Sequence, residues 1–394
     1  MSHFNCYVPN LRFNSFFAEY ERTTLNGFLK TNKVRNKEEK FSKSDVLSVS
    51  GELGVINQIE HLGRSYAGES VALYHILRTG QIVYTKSPLA ESPYGIIKLN
   101  RNEDGIVSTL YAVYDVLNKA DCRYIEHYFA YKPRLNNYLR PIVRIGAKHD
   151  MKIGNDEVLK NYVNFPSKEE QQKISDFLDL INQRIDTQNK IIDKLESLKI
   201  QIKERIFNLG TIKKTISDVL IENNKKSIIQ DQYPVLSSTV KGLFLQSDYF
   251  EREVASSNNI GYKIVKKGQI IISPQNLWMG NITYNDTFEN GIVSPSYKVF
   301  DITTKYFKNY IYWILTSKHS FFNFSLVSEQ GASIVRRNLN YDSFLNLTLP
   351  LCDEEQQKHI SKLIDLIETK LKLEKRKFEL FLNQKNYLLS NLFI

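Results

Sequence analysis

The chain is predicted to be an α+β protein in which two similar globular segments are joined by two long antiparallel helices, and three observations in its 394 residues lead there. The first is an internal repeat: NYVNFPSKEEQQKIS from Asn161 returns as NLTLPLCDEEQQKHIS from Asn346, with EEQQK identical at an offset of 185. The second is the helical character of the segment after each copy, and the third is the strand character of the segment before it.

The repeat extends upstream in the same order. GQIVY from Gly80 matches GQIII from Gly268, Ser87-Pro88 matches Ser273-Pro274, GIVS from Gly105 matches GIVS from Gly291, and Gly146-Ala147 matches Gly331-Ala332. Collinear matches at offsets of 184 to 188, Pro166 with Pro350 among them, make a duplication the economical account. The expected boundaries are 1–165 for the first globular segment, 166–209 for the first long helix, 210–349 for the second segment and 350–394 for the second helix.

Within the globular segments strand signals dominate: IVYT at Ile82, YAVYDV at Tyr111, IVRI at Ile142, YPVLSSTV at Tyr233, QIII at Gln269 and SYKVF at Ser296. Short helices are expected near Tyr124–Tyr131 and Tyr306–Ser317. The first long helix is marked by Ile174, Phe177, Leu178, Ile181, Ile185, Ile192, Leu195, Leu198, Ile202 and Ile206 at three- and four-residue steps, without Gly or Pro from 167 to 208. Ser167 and Glu170 form a capping box at its start, and Gly210 supplies its end. The second helix carries Ile360, Leu363, Ile364, Ile367, Leu371, Phe378, Phe381, Leu388, Leu389 and Leu392, with Asp353 and Gln356 to cap it. Each is about 40 residues, or roughly 60 Å. A stripe that long needs a partner of equal length, so the helices should pair with each other, antiparallel, with the globular segments at opposite ends.

Composition narrows the function. The chain is 42% apolar with 23 Tyr and 22 Phe, enough to build real cores. Cys6, Cys122 and Cys352 are too few and too dispersed for a disulfide framework or a CxxC metal site, and the sequence shows neither a leader pattern nor an apolar stretch of about 18 residues. A cytoplasmic protein is expected, with no membrane partner. The net charge of +10 is unevenly placed: residues 167–208 hold eight basic and eight acidic side chains and residues 353–392 hold eight and seven, against 22 and 17 in 1–166 and 15 and 11 in 209–352. The globular segments are basic and the helices are not, which favours a polyanionic partner for the former.

Enzymatic signatures are missing. GRSYAGES from Gly63 places Glu69 where a phosphate-loop lysine belongs, GESVA from Gly68 lacks the final glycine of a nucleophile elbow, and the seven histidines form no HExxH. SPSY from Ser294 has only one of the two prolines of the tetrapeptide with which many amino-methyltransferases hold a target base. The chain alone reads as non-catalytic, with no metal and no cofactor of its own.

Candidate contacts to DNA are basic residues interleaved with amides, hydroxyls and aromatics, since phosphates need cations and base edges need forked or two-sided hydrogen-bonding groups. They are Lys33, Arg35 and Lys37; Arg134, Asn136, Asn137, Tyr138 and Arg140; Lys225, Lys226, Ser238 and Lys241; Gln275, Asn276 and Trp278; and Arg336 with Arg337. Any one stretch alone reads equally as a solvated loop or a protein interface.

With these residues assembled, the chain resembles the specificity subunit of type I restriction-modification systems over its whole length. The opening VPNLRFNSFFAEYERTTL from Val8, the two EEQQK helix entries and the terminal YLLSNLF from Tyr387 carry the likeness. The resemblance implies that 1–165 and 210–349 are target-recognition domains, each reading half of a split double-stranded DNA target, with the helices acting as a ruler. It implies two docked methyltransferase subunits that bring S-adenosylmethionine chemistry on adenine, and a motor-nuclease subunit using ATP and Mg where the system has one. Two other readings stay open on the residues alone: a coiled-coil adaptor whose basic ends bind proteins, and a self-sufficient methyltransferase.

Overall fold

The computed structural model describes residues 8–68, 70–89, 91–145, 151–249, 258–303, 305–330 and 336–394; Cys6, Glu69 and the Gly146-Ala147 and Gly331-Ala332 match lie outside the described residues. The chain divides into two compact units, one of Met1–Gln188 with Lys377–Ile394 and the other of Asn189–Arg376. Each unit therefore holds one globular segment and part of both long helices.

In the first unit the elements are β1 (Glu21–Thr24), β2 (Leu29–Asn32), β3 (Leu47–Ser50), β4 (Gly54–Asn57), α1 (Gln58–Leu62), β5 (His75–Leu77), β6 (Ile82–Thr85), β7 (Ile97–Leu99), β8 (Gly105–Val107), β9 (Tyr111–Val116), α2 (Cys122–Ala130), α3 (Lys132–Leu139), β10 (Arg144–Ile145), β11 (Met151–Lys152), β12 (Tyr162–Phe165) and the start of α4 (Lys168–Leu209). After α4 the second unit runs β13 (Ile212–Thr215), α5 (Ile216–Val219), β14 (Leu220–Glu222), β15 (Leu236–Thr239), β16 (Gly242–Leu245), α6 (Gln246–Tyr249), β17 (Lys263–Lys266), β18 (Ile270–Ile272), β19 (Ile282–Tyr284), β20 (Asn290–Val293), β21 (Lys298–Ile302), α7 (Lys308–Leu315), α8 (Lys318–Leu326), β22 (Ser328–Gln330), β23 (Arg337–Leu339), α9 (Tyr341–Leu345), β24 (Thr348–Leu351) and α10 (Glu354–Asn391).

The two lists pair strand for strand. The central sheet is β2-β9-β6-β7 in one unit and β14-β21-β18-β19 in the other; β1-β12, β3-β4, β5-β8 and β10-β11 answer to β13-β24, β15-β16, β17-β20 and β22-β23. Every pair is antiparallel. Side chains repeat as well. Asn32 and Gln81 donate to Asp115 at 3.0 and 2.6 Å, and Asn223 and Gln269 donate to Asp301 at 2.9 and 2.8 Å. The GIVS match has a packing reason: a Cβ on Gly105 would stand 2.8 Å from Leu47 Cγ, and one on Gly291 would stand 2.3 Å from Leu236 Cδ1.

The helix entries repeat one residue out of step with the identical letters. Gln171 donates to Pro166 O at 2.9 Å and Gln357 donates to Cys352 O at 2.8 Å, so these two are equivalent, at an offset of 186. The same offset relates β12 to β24 and superposes ISDFLDLI from Ile174 on ISKLIDLI from Ile360. Pro166 and Pro350 are thus not equivalent; Pro350 lies within β24.

The expected caps are half right. Asp353 and Gln356 cap α10 reciprocally, at 2.8 and 3.3 Å. Ser167 accepts from the Glu170 N–H at 3.4 Å, but the buried Glu170 carboxylate turns instead to the Arg12 guanidinium, two contacts of 2.8 Å, because a charge out of water needs a charged partner. Gly210 comes after α4 without a positive φ; what requires glycine is the closeness of β24, since a Cβ there would meet Pro350 O at 2.3 Å.

In the first unit Ile174, Leu178, Ile181 and Ile185 of α4 share a core with Leu388, Leu389 and Leu392 of α10 and with the buried rings of Tyr84, Tyr124 and Phe165. In the second, Ile206 of α4 packs with Ile364, Ile367 and Leu371 of α10 and with Phe300, Tyr310 and Trp313. Each such side chain contributes about 1.5–3 kcal/mol on full burial. There Glu196 pairs with Lys375 and Lys199 with Glu368, so one helix advances as the other recedes. Leu198 and Leu363, expected in the stripes, are 46% and 43% exposed.

Candidate nucleic-acid interface

Two of the predicted basic stretches prove to be one feature, present twice. Lys33, Arg35 and Lys37 come directly after β2, while Lys225 and Lys226 come after β14, its counterpart. Arg35 bridges to His75 at the start of β5 as Lys226 bridges to Lys263 at the start of β17. Lys33, Lys37, Lys225 and Lys226 are exposed. Arg35 is not free: its guanidinium donates to Leu73 O at 2.5 Å. Burial, with Arg35 and Lys86 nearby, pushes the His75 imidazole below its usual range, so this position adds no charge near neutrality.

Lys263 and Lys298 are cations the sequence reasoning missed. Both reach Glu222, at 3.5 and 2.9 Å, and Tyr341 donates to the same carboxylate at 2.5 Å. Burial alone would raise the Glu222 carboxyl; the Tyr341 hydroxyl and the two ammonium groups outweigh it and hold it low. One carboxylate thus stands between Lys263 and Lys298, with Lys226 bridged to Lys263 beside it. Their strands read as core, KIVK and SYKVF, and nothing in either pattern announces the meeting.

The stretch on α3 divides by helical face. Asn137 and Arg140 are exposed, whereas Tyr138 is buried and donates to Val158 O at 2.7 Å. Arg134 lies inward too. It donates to Tyr128 O at 3.0 Å and to Leu389 O, in the last turn of α10, at 2.8 Å, with its carbon 5.0 Å from the ring centres of Tyr128 and Phe393. Burial pushes its guanidinium below the usual range. Arg134 and Tyr138 turn toward the core, because Leu135 and Leu139 fix which face of this short helix points inward. Asn136 donates to Glu91 O at 3.3 Å.

In the second unit Ser238 likewise turns inward: its buried hydroxyl meets Asn281 and Thr283, both at 2.9 Å. Lys241, in the β15–β16 turn, is exposed and edges a groove of about 890 Å³ that also holds Lys267, Lys308, Asp286 and Asp365. Gln275, Asn276 and Trp278, on the β18–β19 connection, come together with Arg337 at the start of β23. The Arg337 N–H donates to Gln275 O at 3.1 Å, and its guanidinium carbon stands 4.0 Å from the Trp278 ring centre. Gln275 and the neighbouring Arg336 are exposed. Among the described residues no group of three His, Cys, Asp or Glu is placed to hold a metal, and no helix is long and apolar enough to cross a membrane.

No protein-family model matches the chain. Solved structures do. The crystal structure of the type I restriction-modification system S subunit from M. genitalium is similar over 98% of this chain and 99% of that one, with a TM-score of 0.57 and 12% identity. The chain has the S-subunit fold. A second solved chain, from work on complex assembly and conformational transition of the type I R-M system, covers 94% of this one and 96% of its own length, with a TM-score of 0.55 and 12% identity. In this S-subunit fold the candidates left at the surface are the lysines after β2 and β14, Asn137 and Arg140 on and after α3, Lys241, Arg336, and the Gln275–Trp278–Arg337 cluster.

Proposed function

We propose that the chain is the DNA-specificity subunit of a type I restriction-modification complex. What carries this reading is the strand-for-strand duplication in a fold that the S subunits share over their full length. Each unit reads one half-site. The exposed lysines after β2 and β14 meet phosphates, and residues on neighbouring connections read base edges in the major groove. The long helices set the distance between half-sites, leaving the DNA between them unread.

The chain itself performs no chemistry in this scheme. Two methyltransferase subunits dock on it and supply S-adenosylmethionine chemistry on a flipped adenine, and a motor-nuclease subunit with ATP and Mg joins where the system has one. Leu180 and Leu366 occupy equivalent positions on α4 and α10 and are 62% and 69% exposed, a duplicated apolar feature suited to duplicated partners. The assembly works in the cytoplasm, where the DNA is.

The test is single-molecule methylation mapping of host DNA with and without the gene. A split adenine motif with a fixed unread gap is expected to vanish on deletion and return on complementation; a methylome that does not change overturns the proposal.

A further inference from the structure

Most arginines of the first unit's core are spoken for. Arg12 holds Glu170, Arg101 holds Glu126 and Asp179, Arg123 holds Asp121 and Asp176, and Arg134 holds two carbonyls. Arg337 in the second unit is different. Its guanidinium lies against Trp278, yet among the described residues no carboxylate or carbonyl accepts from it, and its buried Nε is left without a partner. Two neighbouring polar atoms are orphaned in the same way, Trp278 Nε1 and Asn276 Oδ1. Folded proteins rarely leave buried donors and acceptors unmet, so the cluster is unusual; the Nη groups of Arg337, which are not among these buried atoms, are the part a ligand can reach.

The geometry says which ligand. With its carbon 4.0 Å from the indole centre the guanidinium is held against the ring, and its outer Nη edge presents two parallel donors and no acceptor. The backbone bond from Arg337 to Gln275 O ties β23 to the β18–β19 connection, which limits how far that edge can swing. The base edge that offers two adjacent acceptors is guanine in the major groove, through O6 and N7; adenine offers one acceptor and one donor there. A phosphate would also accept the fork, but it needs no ring to hold it.

Resting on the reading of the chain as a DNA-specificity subunit, we propose that Arg337, held against Trp278, reads a guanine in the half-site belonging to the second unit. Among the described residues the first unit shows no counterpart. Its equivalent connection, between β6 and β7, places Ser92 186 residues before Trp278, and the aromatic it does carry, Tyr94, packs against that unit's core. The guanine contact is therefore confined to one half-site.

The experiment uses the full chain co-expressed with its methyltransferase, mapping the methylated motif for wild type, Arg337→Ala and Trp278→Ala. The expected result is relaxation at a single guanine of one half-site, discrimination there falling roughly 10- to 100-fold, with the other half-site and the gap unchanged. Duplex binding gives the second readout: 7-deazaguanine at that position should weaken wild type and leave Arg337→Ala indifferent. Arg337→Ala should melt as wild type does, since its side chain makes no hydrogen bond among the described residues; for Trp278→Ala, which also loses packing, the unchanged reading of the other half-site reports that the chain is folded. An unchanged motif, relaxation at a base other than guanine, or uniform weakening with a shallower salt dependence, the mark of a phosphate contact, would each overturn the inference while leaving the specificity function standing. Absence of any motif in wild type would instead overturn the function itself.

Discussion

Arg134 and Arg140 are six residues apart on one short stretch and do opposite work. Arg134 donates to the last turn of α10 from within a cage of rings, a place where a cation favours the carbonyl end of a helix. Replacing it with methionine keeps the volume and removes the donors, and is expected to cost about 2–3 kcal/mol in urea unfolding. Arg140→Ala should change stability by less than about 0.5 kcal/mol and weaken DNA binding alone. The sequence could not separate them, because YKPRLNNYLR offers Arg, Asn and Tyr on every side of the helix. What divides them is the packing of Leu135 and Leu139, which a one-dimensional reading of polar residues ignores. Lys263 and Lys298 were missed for the converse reason: each sits in a strand whose apolar letters mark it as core, and the cluster at Glu222 exists only after folding.

At the scale of an element, α4 keeps a cation where its stripe should be apolar. Lys203 lies against Tyr312 and Trp313, donates to Thr316 Oγ1 at 2.8 Å, and is pushed down to about 8 by burial, with Lys199 adding to the effect. Below pH 8 the ammonium is charged in both folded and unfolded chains and its desolvation opposes folding. Between pH 8 and the unfolded value near 10.5 the unfolded chain binds the extra proton, so stability should rise with pH. Lys203→Met should remove that rise and add on the order of 2–3 kcal/mol at pH 7, measured by urea unfolding at pH 7 and pH 10. A variant that keeps the wild-type slope would sink this account. The helices themselves were the most legible part of the sequence, since forty residues of three- and four-step spacing leave little alternative. Their polar interruptions, Gln188 in α4 and Glu374 in α10, both buried, were not anticipated by a count of apolar positions.

At the scale of the whole molecule, one plan is written twice. Inserting seven residues in phase into both α4 and α10 preserves their apolar faces and adds about 10 Å to each, or roughly three base pairs of DNA. Methylation mapping of this variant should show the unread gap lengthened with both half-sites intact, or no modification at all. An unchanged gap would remove the helices from any measuring role. The duplication was visible from a handful of short matches, yet its true register was not, because EEQQK invites an alignment that the hydrogen bonds of Gln171 and Gln357 reject. One step along a helix is about 100° of rotation. Had the copies diverged as their letters suggest, Asp365 would have swung away from Asn309, which it meets at 2.8 Å as Asp179 meets Arg123 at 3.3 Å. Each helix therefore leaves its own globular body on the same angular bearing in both copies, although the letters at the doorway are shifted by one.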